Sequence, residues 1–151
     1  MLKITQLNAE NKVFFKDLNI AWLEKYFYLE PKDVIQLNNP ETEILDKGGY
    51  IFLANYNGQT VGTVSLLKVD EHTYELGKMA VNEAIQGKGI GKQILLHALT
   101  HAEILRAKKL ILYTNSILKP AISLYKKAGF EEIPLDSSLY ARSDIKMQKL
   151  L

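Results

Sequence analysis

A glycine-rich turn is the segment of the sequence with the clearest chemical potential. Three glycines alternate with other residues there, in the run Gln86-Gly87-Lys88-Gly89-Ile90-Gly91-Lys92. A strand is predicted before this run and an amphipathic helix after it. Glycines let a backbone approach a ligand closely, and the amides at a helix N-terminus carry partial positive charge. The turn, reinforced by Lys88 and Lys92, is therefore predicted to bind phosphate.

Two well-known phosphate-binding spacings do not fit this turn. A P-loop requires a glycine at the position of Gln86 and a serine or threonine at the position of Gln93. A dinucleotide-binding fingerprint starting at Gly87 requires a third glycine at the position of Lys92, and an acidic residue near Lys108. Neither class of nucleotide-binding protein is indicated.

The spacing Gln-x-x-Gly-x-Gly after a strand instead resembles the GNAT superfamily of N-acetyltransferases, where Gln/Arg-x-x-Gly-x-Gly/Ala binds the pyrophosphate of acetyl-coenzyme A. Other segments look like the family's motifs in the right order: Glu75-Leu-Gly-Lys-Met-Ala-Val81, Thr114-Asn115-Ser116, and Pro120 to Phe130. The resemblance extends from about Gly48 to the end of the chain. It implies an acetyl-coenzyme A site made by the following residues: Met79, Ala80, Val81, Gln86, Gly87, Lys88, Gly89, Ile90, Gly91, Lys92 and Asn115.

Acetyl transfer to an amine requires a neutral amine, a donor for the developing oxyanion and an acid for the leaving thiolate. Tyr125 is the candidate acid, because a phenol with a pKa of about 10 stays protonated where a thiol, at roughly 8.5, loses its proton. The resemblance supports this role, since the family's tyrosine before Lys-x-x-Gly-Phe lies near the coenzyme A sulfur. The alternative is that Tyr125 only extends an apolar helix stripe.

Glu75 is the candidate general base. It stands where some family members have a glutamate that deprotonates the acceptor, directly or through water; the alternative is an ordinary strand glutamate. Gly77, two residues on, indicates a bulge or a close backbone approach. Asn115 is expected to contact the coenzyme or the acceptor, or else to cap a turn or helix.

Other candidates carry less chemistry. His97 and His101 are four residues apart on a helix, but Ala98 stands where a zincin has its glutamate, so no metal site is predicted. Several aromatic and polar side chains either line an acceptor pocket or belong to the core or the last hairpin: Trp22, Tyr26, Phe27, Tyr28, Tyr140 and Arg142.

Hydrophobic periodicity places these residues on elements. Phe14, Leu18, Ala21 and Trp22 predict the buried face of a first helix that ends near Tyr28. Pro31 suits the first turn of a second helix, and Asn57-Gly58 predicts a type I′ turn between two strands. The remaining predicted elements are a strand over Leu2–Leu7, strands over Tyr50–Tyr56, Gln59–Val69 and Tyr74–Val81, a helix over Ile90–Leu105, a strand over Leu110–Thr114, a helix over Leu118–Ala128, and strands over Phe130–Ile133 and Tyr140–Gln148.

This order predicts an α/β (α+β) fold with a GNAT-like, mixed and mostly antiparallel sheet of about seven strands and four helices on its faces. The length of 151 residues, with 47% hydrophobic and 24% charged side chains, suits one domain over 1–151. The start of the chain has no apolar targeting region, and no apolar run approaches the ~20 residues that span a bilayer. We therefore expect a cytoplasmic protein without a membrane partner.

The charge is uneven along the chain. Residues 1–75 carry 7 basic and 11 acidic side chains, and residues 76–151 carry 12 and 6. The basic second half favours an anionic ligand, whereas the net charge of +2 is too small to indicate nucleic acid. The acidic first half is compatible with a cationic amine acceptor.

The resemblance implies an acetyl-CoA-dependent N-acetyltransferase without a metal, acting on a small-molecule or peptide primary amine. The chain has no cysteine, so a thiol relay is absent and direct attack in a ternary complex is expected. Polyamine, amino acid, antibiotic, peptide N-terminus and lysine side chain all remain candidate acceptors. The alternatives are a non-catalytic acyl-CoA-sensing module and an aminoacyl-tRNA-acetylating toxin. A homodimer is implied by resemblance alone.

Overall fold

The computed structural model describes residues 1–85, 87–135 and 140–151. These residues contain one seven-stranded sheet, whose strands are β1 (Leu2–Gln6), β2 (Tyr50–Tyr56), β3 (Gln59–Lys68), β4 (Thr73–Val81), β5 (Lys109–Thr114), β6 (Glu131–Ile133) and β7 (Ile145–Leu150). They lie in the order β1-β2-β3-β4-β5-β7-β6. The β4–β5 pair is parallel and the other neighbours are antiparallel. The mixed sheet predicted from the sequence is confirmed.

Four α-helices flank the sheet in the described residues: α1 (Lys12–Tyr26), α2 (Pro31–Asn38), α3 (Ile90–Ile104) and α4 (Lys119–Lys127). A π-helical turn spans Glu41–Leu45 and a 3₁₀ turn spans Glu83–Ile85. Pro31 occupies the first turn of α2, as predicted. The side chains of Glu30 and Asp33 form a reciprocal capping box there, in which each accepts a hydrogen bond from the other's backbone amide.

Alternation along the strands divides the interior into two cores. In β2, Phe52 and Ala54 pack with the core under α3 and α4, whereas Ile51 and Leu53 pack with the core under α1 and α2. The buried face of α3 consists of Ile90, Ile94, Leu95, Ala98, Leu99 and Ala102. The hairpin turn is also confirmed, because Asn57 and Gly58 both have positive φ, at 51° and 87°.

The predicted buried face of α1 is wrong by one position. Phe15, Asn19 and Leu23 are its buried residues, whereas Phe14 is 42% exposed. The apolar pattern did not predict this face because Asn19, a polar residue, was not expected in the core. The Asn19 side-chain amide donates to the Phe15 carbonyl oxygen at 2.8 Å, which offsets its burial.

The last strand also begins later than predicted. It starts at Ile145 and not at Tyr140, because the segment around Tyr140 and Arg142 contacts α2 before the chain enters the sheet. Among the described residues, no helix combines the length and hydropathy needed to cross a bilayer.

Candidate active site

The parallel strands β4 and β5 form a fork. They pair only where Thr73–Glu75 face Lys109–Ile111, although β4 continues to Val81 and β5 to Thr114. Beyond Glu75 the two strands therefore separate, and a cavity of about 220 Å³ opens between them. Along this part of β4, no strand in the described chain pairs with the side that faces β5. Its backbone amides and carbonyls are available to an extended ligand.

A β-bulge shapes β4 at the fork. Thr63 lies opposite Ala80 and Ser65 opposite Gly77, so β4 has one residue more than β3 between these pairs. Lys78 adopts a left-handed φ of 49° within the bulge. The bulge expected from Gly77 is confirmed, and the Ser65 hydroxyl donates to the Gly77 carbonyl oxygen at 3.0 Å.

The cavity passes from the α4 side of the fork towards α1 and α2. Its α4 side is lined by predicted coenzyme residues and by the candidate acid, namely Met79, Ala80, Val81, Asn115 and Tyr125. Its other end is lined by Trp22, Phe27, Gln36, Glu75, Lys78, Tyr140 and Arg142, among others. Two separate groups of predicted site residues thus share one cavity.

The glycine turn follows β4 through the short Glu83–Ile85 turn and lies outside the cavity wall that the structure describes. Gly87 and Gly89 have positive φ, at 88° and 74°, and a Cβ at either position would meet nothing within 4 Å. Gly89 is the N-cap of α3, where no side chain of the described residues caps the free amides. The turn thus offers open backbone donors, as a phosphate group requires.

Three other predicted turn residues differ in their exposure. Lys88 and Lys92 are exposed, whereas the Ile90 side chain is buried in the core, so Ile90 can offer only its backbone to a ligand. Gln86 lies outside the described residues.

Tyr125 lies on α4 with its ring edge-to-face against Phe130, at a centroid distance of 5.9 Å. It both extends the core and lines the cavity, so the core interpretation is confirmed and the acid role stays a prediction. Burial raises the pKa of Tyr125 to about 12. The phenol is therefore protonated at neutral pH and can act as a proton donor.

Glu75 is the last residue of β4 paired with β5, and its side chain lines the cavity. Only 6% of the residue is exposed. Burial raises the pKa of its carboxyl, against the opposing charges of Lys32, Lys78 and Lys146. A carboxylate with a raised pKa is better suited to accept a proton near neutral pH.

A buried ion cluster closes the end of the cavity beside α2. The fully buried Asp33 carboxylate accepts two hydrogen bonds from the Arg142 guanidinium, at 2.6 and 2.9 Å, and one from Lys78 Nζ at 2.6 Å. Arg142 also donates to Glu30 at 2.9 Å, and Tyr140 lies under both cations. Burial alone would raise the pKa of Asp33, but Arg142 and Lys78 outweigh it and lower that pKa.

Four members of this region were missed by sequence reasoning: Glu30, Asp33, Gln36 and Lys78. Glu30 and Asp33 lie on either side of Pro31, in a pattern typical of a helix N-terminus. They do form the start of α2. Lys78 follows two residues after Leu76, so strict alternation would place both on one face, but the bulge turns Lys78 towards Asp33. The available signal for a change of face at Lys78 was its position next to Gly77, a glycine inside a strand.

The predicted acceptor-side aromatics separate into two groups. Trp22 and Phe27 line the cavity, whereas Tyr26 packs beside Trp22 and Tyr28 is 60% exposed. Tyr140 and Arg142 line the cavity as well. Residues of α1 and of the segment before β7 therefore meet there, although they are far apart in sequence.

Asn115 acts as a structural link in this arrangement. Its side-chain amide donates to the Arg142 carbonyl oxygen at 2.7 Å, and its oxygen accepts from the Ile117 amide at 2.9 Å. The turn-capping interpretation is confirmed, and a contact with a bound ligand stays a prediction.

His97 and His101 lie on the α3 side of the sheet. Their rings pack edge-on against Phe52, at 4.8 and 5.0 Å. In the described residues they have no cluster of further His, Asp or Glu side chains that could hold a metal ion with them.

Comparison with known proteins gives a consistent result. Residues 12–130 match the sequence model of the acetyltransferase (GNAT) family. The chain is 32% identical to the uncharacterized N-acetyltransferase YvbK of Bacillus subtilis, over 73% of each chain. It is 36% identical to the uncharacterized N-acetyltransferase YjgM of Escherichia coli, over 57% of this chain and 53% of that one.

Solved structures share the fold. An acetyltransferase of the GNAT family from Staphylococcus aureus superposes with a TM-score of 0.88 at 22% identity, over 99% of both chains. A Bacillus subtilis acetyltransferase in complex with CoA superposes with a TM-score of 0.76 at 24% identity, over 100% of this chain and 99% of that one.

Proposed function

The chain belongs to the acetyltransferase (GNAT) family, and we propose that it transfers an acetyl group from acetyl-coenzyme A to a primary amine, by direct attack within a ternary complex. The observation that carries this proposal is the fork between β4 and β5. One cavity there joins four of the predicted coenzyme residues, Met79, Ala80, Val81 and Asn115, to Glu75 and Tyr125. The CoA complex of a protein with the same fold supports the choice of donor.

Acetyl-coenzyme A supplies an activated acetyl thioester. The chain has residues suited to its pyrophosphate and to its pantetheine arm. The open amides at Gly87–Lys92 would hold the pyrophosphate, with Lys88 and Lys92 adding positive charge. The unpaired side of Met79–Val81 would hydrogen-bond the pantetheine arm, as an added strand does. These contacts would bring the reactive end of the donor into the cavity.

Glu75 would take a proton from the acceptor ammonium, directly or through water. Its carboxylate lies at the apex of the fork, in the end of the cavity beside α1 and α2, which would receive the acceptor. A positioned base of this kind contributes about 10²–10⁴-fold to a rate. Since the chain has no cysteine, the neutral amine attacks the thioester carbonyl itself.

As the C–S bond breaks, Tyr125 would give a proton to the departing thiolate and would regain one from the attacking nitrogen, which becomes the amide N–H. Its pKa of about 12 keeps the phenol protonated throughout the neutral range. The edge-to-face contact with Phe130 holds the ring against the core, so its hydroxyl is positioned before the reaction begins.

The test combines binding with turnover. Calorimetry should show binding of acetyl-coenzyme A, and a panel of amines should release free thiol together with an acetylated product seen by mass spectrometry. Binding without thiol release from every amine would favour an acyl-CoA sensor instead. Salt-dependent tRNA binding with acetylation of aminoacyl-tRNA would favour the toxin function.

A further inference from the structure

The acceptor end of the cavity has an unexpected charge balance. Three charged side chains line it in the described wall: the cations Lys78 and Arg142 and the carboxylate Glu75. The balance is +1 with Glu75 ionised and +2 with Glu75 protonated. A polycation would be repelled from this end, in contrast to the expectation drawn from the acidic first half of the chain.

In the buried ion cluster, the cations line the described wall of the cavity and their carboxylate partners do not. Arg142 and Lys78 line the cavity, whereas Asp33 and Glu30 hold them from behind and are absent from the described wall. Among the described residues, Arg142 makes three side-chain N–H hydrogen bonds, all to these two carboxylates, and its two other N–H donors bond to none of them. Because the carboxylates fix the guanidinium in place, little side-chain entropy is lost when a ligand binds it.

Part of this wall is apolar. Trp22 and Phe27 lie ring against ring, with centroids 5.7 Å apart, and three aliphatic side chains continue their surface: Leu23, Ile44 and Leu67. Glu75 lines the same end of the cavity. An occupant that satisfies all three features has an amine, an apolar substituent and an anionic group.

We propose that the acceptor is an amino acid with a free carboxylate and an apolar side chain, and that Arg142 is the residue that selects it. The carboxylate binds Arg142 and Lys78, the apolar side chain packs against Trp22 and Phe27, and the amine faces Glu75. This inference rests on the proposed acetyl transfer, and it narrows the acceptor to one class of amine.

Matched acceptors test the inference in the wild-type chain. Phenylalanine is compared with 2-phenylethylamine, and leucine with 3-methylbutylamine, since each pair differs only in the carboxylate; spermidine represents the polycations. At saturating acetyl-coenzyme A, kcat/KM should be about 30-fold higher for each amino acid than for its partner, the size expected for a charged hydrogen bond. Spermidine should be the poorest acceptor.

Two variants show whether Arg142 causes the preference. Arg142→Gln should reduce the 30-fold ratio to within about 3-fold, mainly through the KM of the amino acids. Arg106→Gln changes the chain's other arginine, which is exposed, and should leave the ratio as it is. If Arg142→Gln does not fold, the wild-type pairs decide.

Equal rates within each pair, or a preference for spermidine, would overturn the inference. So would the absence of acetylation of any amino acid. If 2-phenylethylamine or spermidine is acetylated instead, the acceptor class is wrong and the acetyl transfer stands. If acetyl-coenzyme A does not bind and no amine releases thiol, the proposed function itself is wrong.

Discussion

Asp33→Asn tests whether the buried ion cluster holds the two sides of the acceptor end together. Asp33 is fully buried and accepts three charge-assisted hydrogen bonds, from Arg142 and Lys78. It lies on α2, Lys78 on β4 and Arg142 before β7, so one carboxylate joins three distant parts of the chain. Asparagine keeps the size of the side chain but removes its charge.

The cost follows from the charges left behind. Removing one partner of a buried ion pair typically costs about 3–5 kcal/mol, because the other charge stays buried without compensation. Here Arg142 retains Glu30, whereas Lys78, whose side chain is 7% exposed, loses its carboxylate. We expect the free energy of unfolding at neutral pH to fall by about 3 kcal/mol or more, and Tm to fall by about 6–12 °C for a chain of this length.

Urea unfolding of the wild type and Asp33→Asn measures this difference. Glu41→Gln is the matched control, because Glu41 pairs with Lys12 on the surface and an exposed pair contributes about 1 kcal/mol at most. The pKa of Asp33 is lowered in the folded state, so its stabilisation is present above the unfolded pKa of about 3.9 and is lost as the pH falls through the folded pKa. A loss below about 1 kcal/mol at pH 7, equal to the control, would refute the reasoning.

Three further predictions concern single side chains. Tyr125→Phe should lower kcat by about 10²-fold and leave the Kd of acetyl-coenzyme A within about 3-fold, measured by thiol release and calorimetry; unchanged turnover would remove the acid role. Gly89→Ala and the control Gly58→Ala should each lose about 1 kcal/mol of stability through their positive φ, but only Gly89→Ala should weaken coenzyme binding, by about 10-fold or more. Burial, with the charge of His97 added, lowers the pKa of His101, so the unfolded chain binds more protons and stability should fall as the pH drops below about 6.5. His101→Phe should flatten that dependence in urea titrations at pH 7 and pH 5, and an unchanged slope would contradict it.

Local pattern was sufficient to predict the order of the elements. The alternation of β2 and β3, joined by Asn57-Gly58, predicts a hairpin without any long-range information. The glycines at 87 and 89 likewise require a turn with positive φ, which the structure has. The burial of Tyr125 was accessible too, because it depends on an apolar stripe along one helix, whereas a place near the donor was implied only by the family resemblance.

Contacts between residues that are distant in sequence could not be predicted from local patterns. Asp33 and Arg142 are 109 residues apart, and nothing in either local sequence indicates that they meet. The buried face of α1 includes Asn19, whose burial depends on one hydrogen bond to Phe15. Lys78 changes face because of a bulge whose position depends on the pairing of β4 with β3. The charge at the acceptor end therefore required the folded chain.

The most direct test of the account is the pH dependence of kcat/KM for the wild type and Glu75→Gln with one accepted amine. Glu75, whose pKa is raised by burial, lies at the apex of the fork and is the proposed base. Along the alkaline-rising limb, Glu75→Gln should be about 10²–10⁴-fold slower than the wild type, while acetyl-coenzyme A still binds. Identical profiles for the two proteins would contradict the assignment of the chemistry to Glu75 and to the fork.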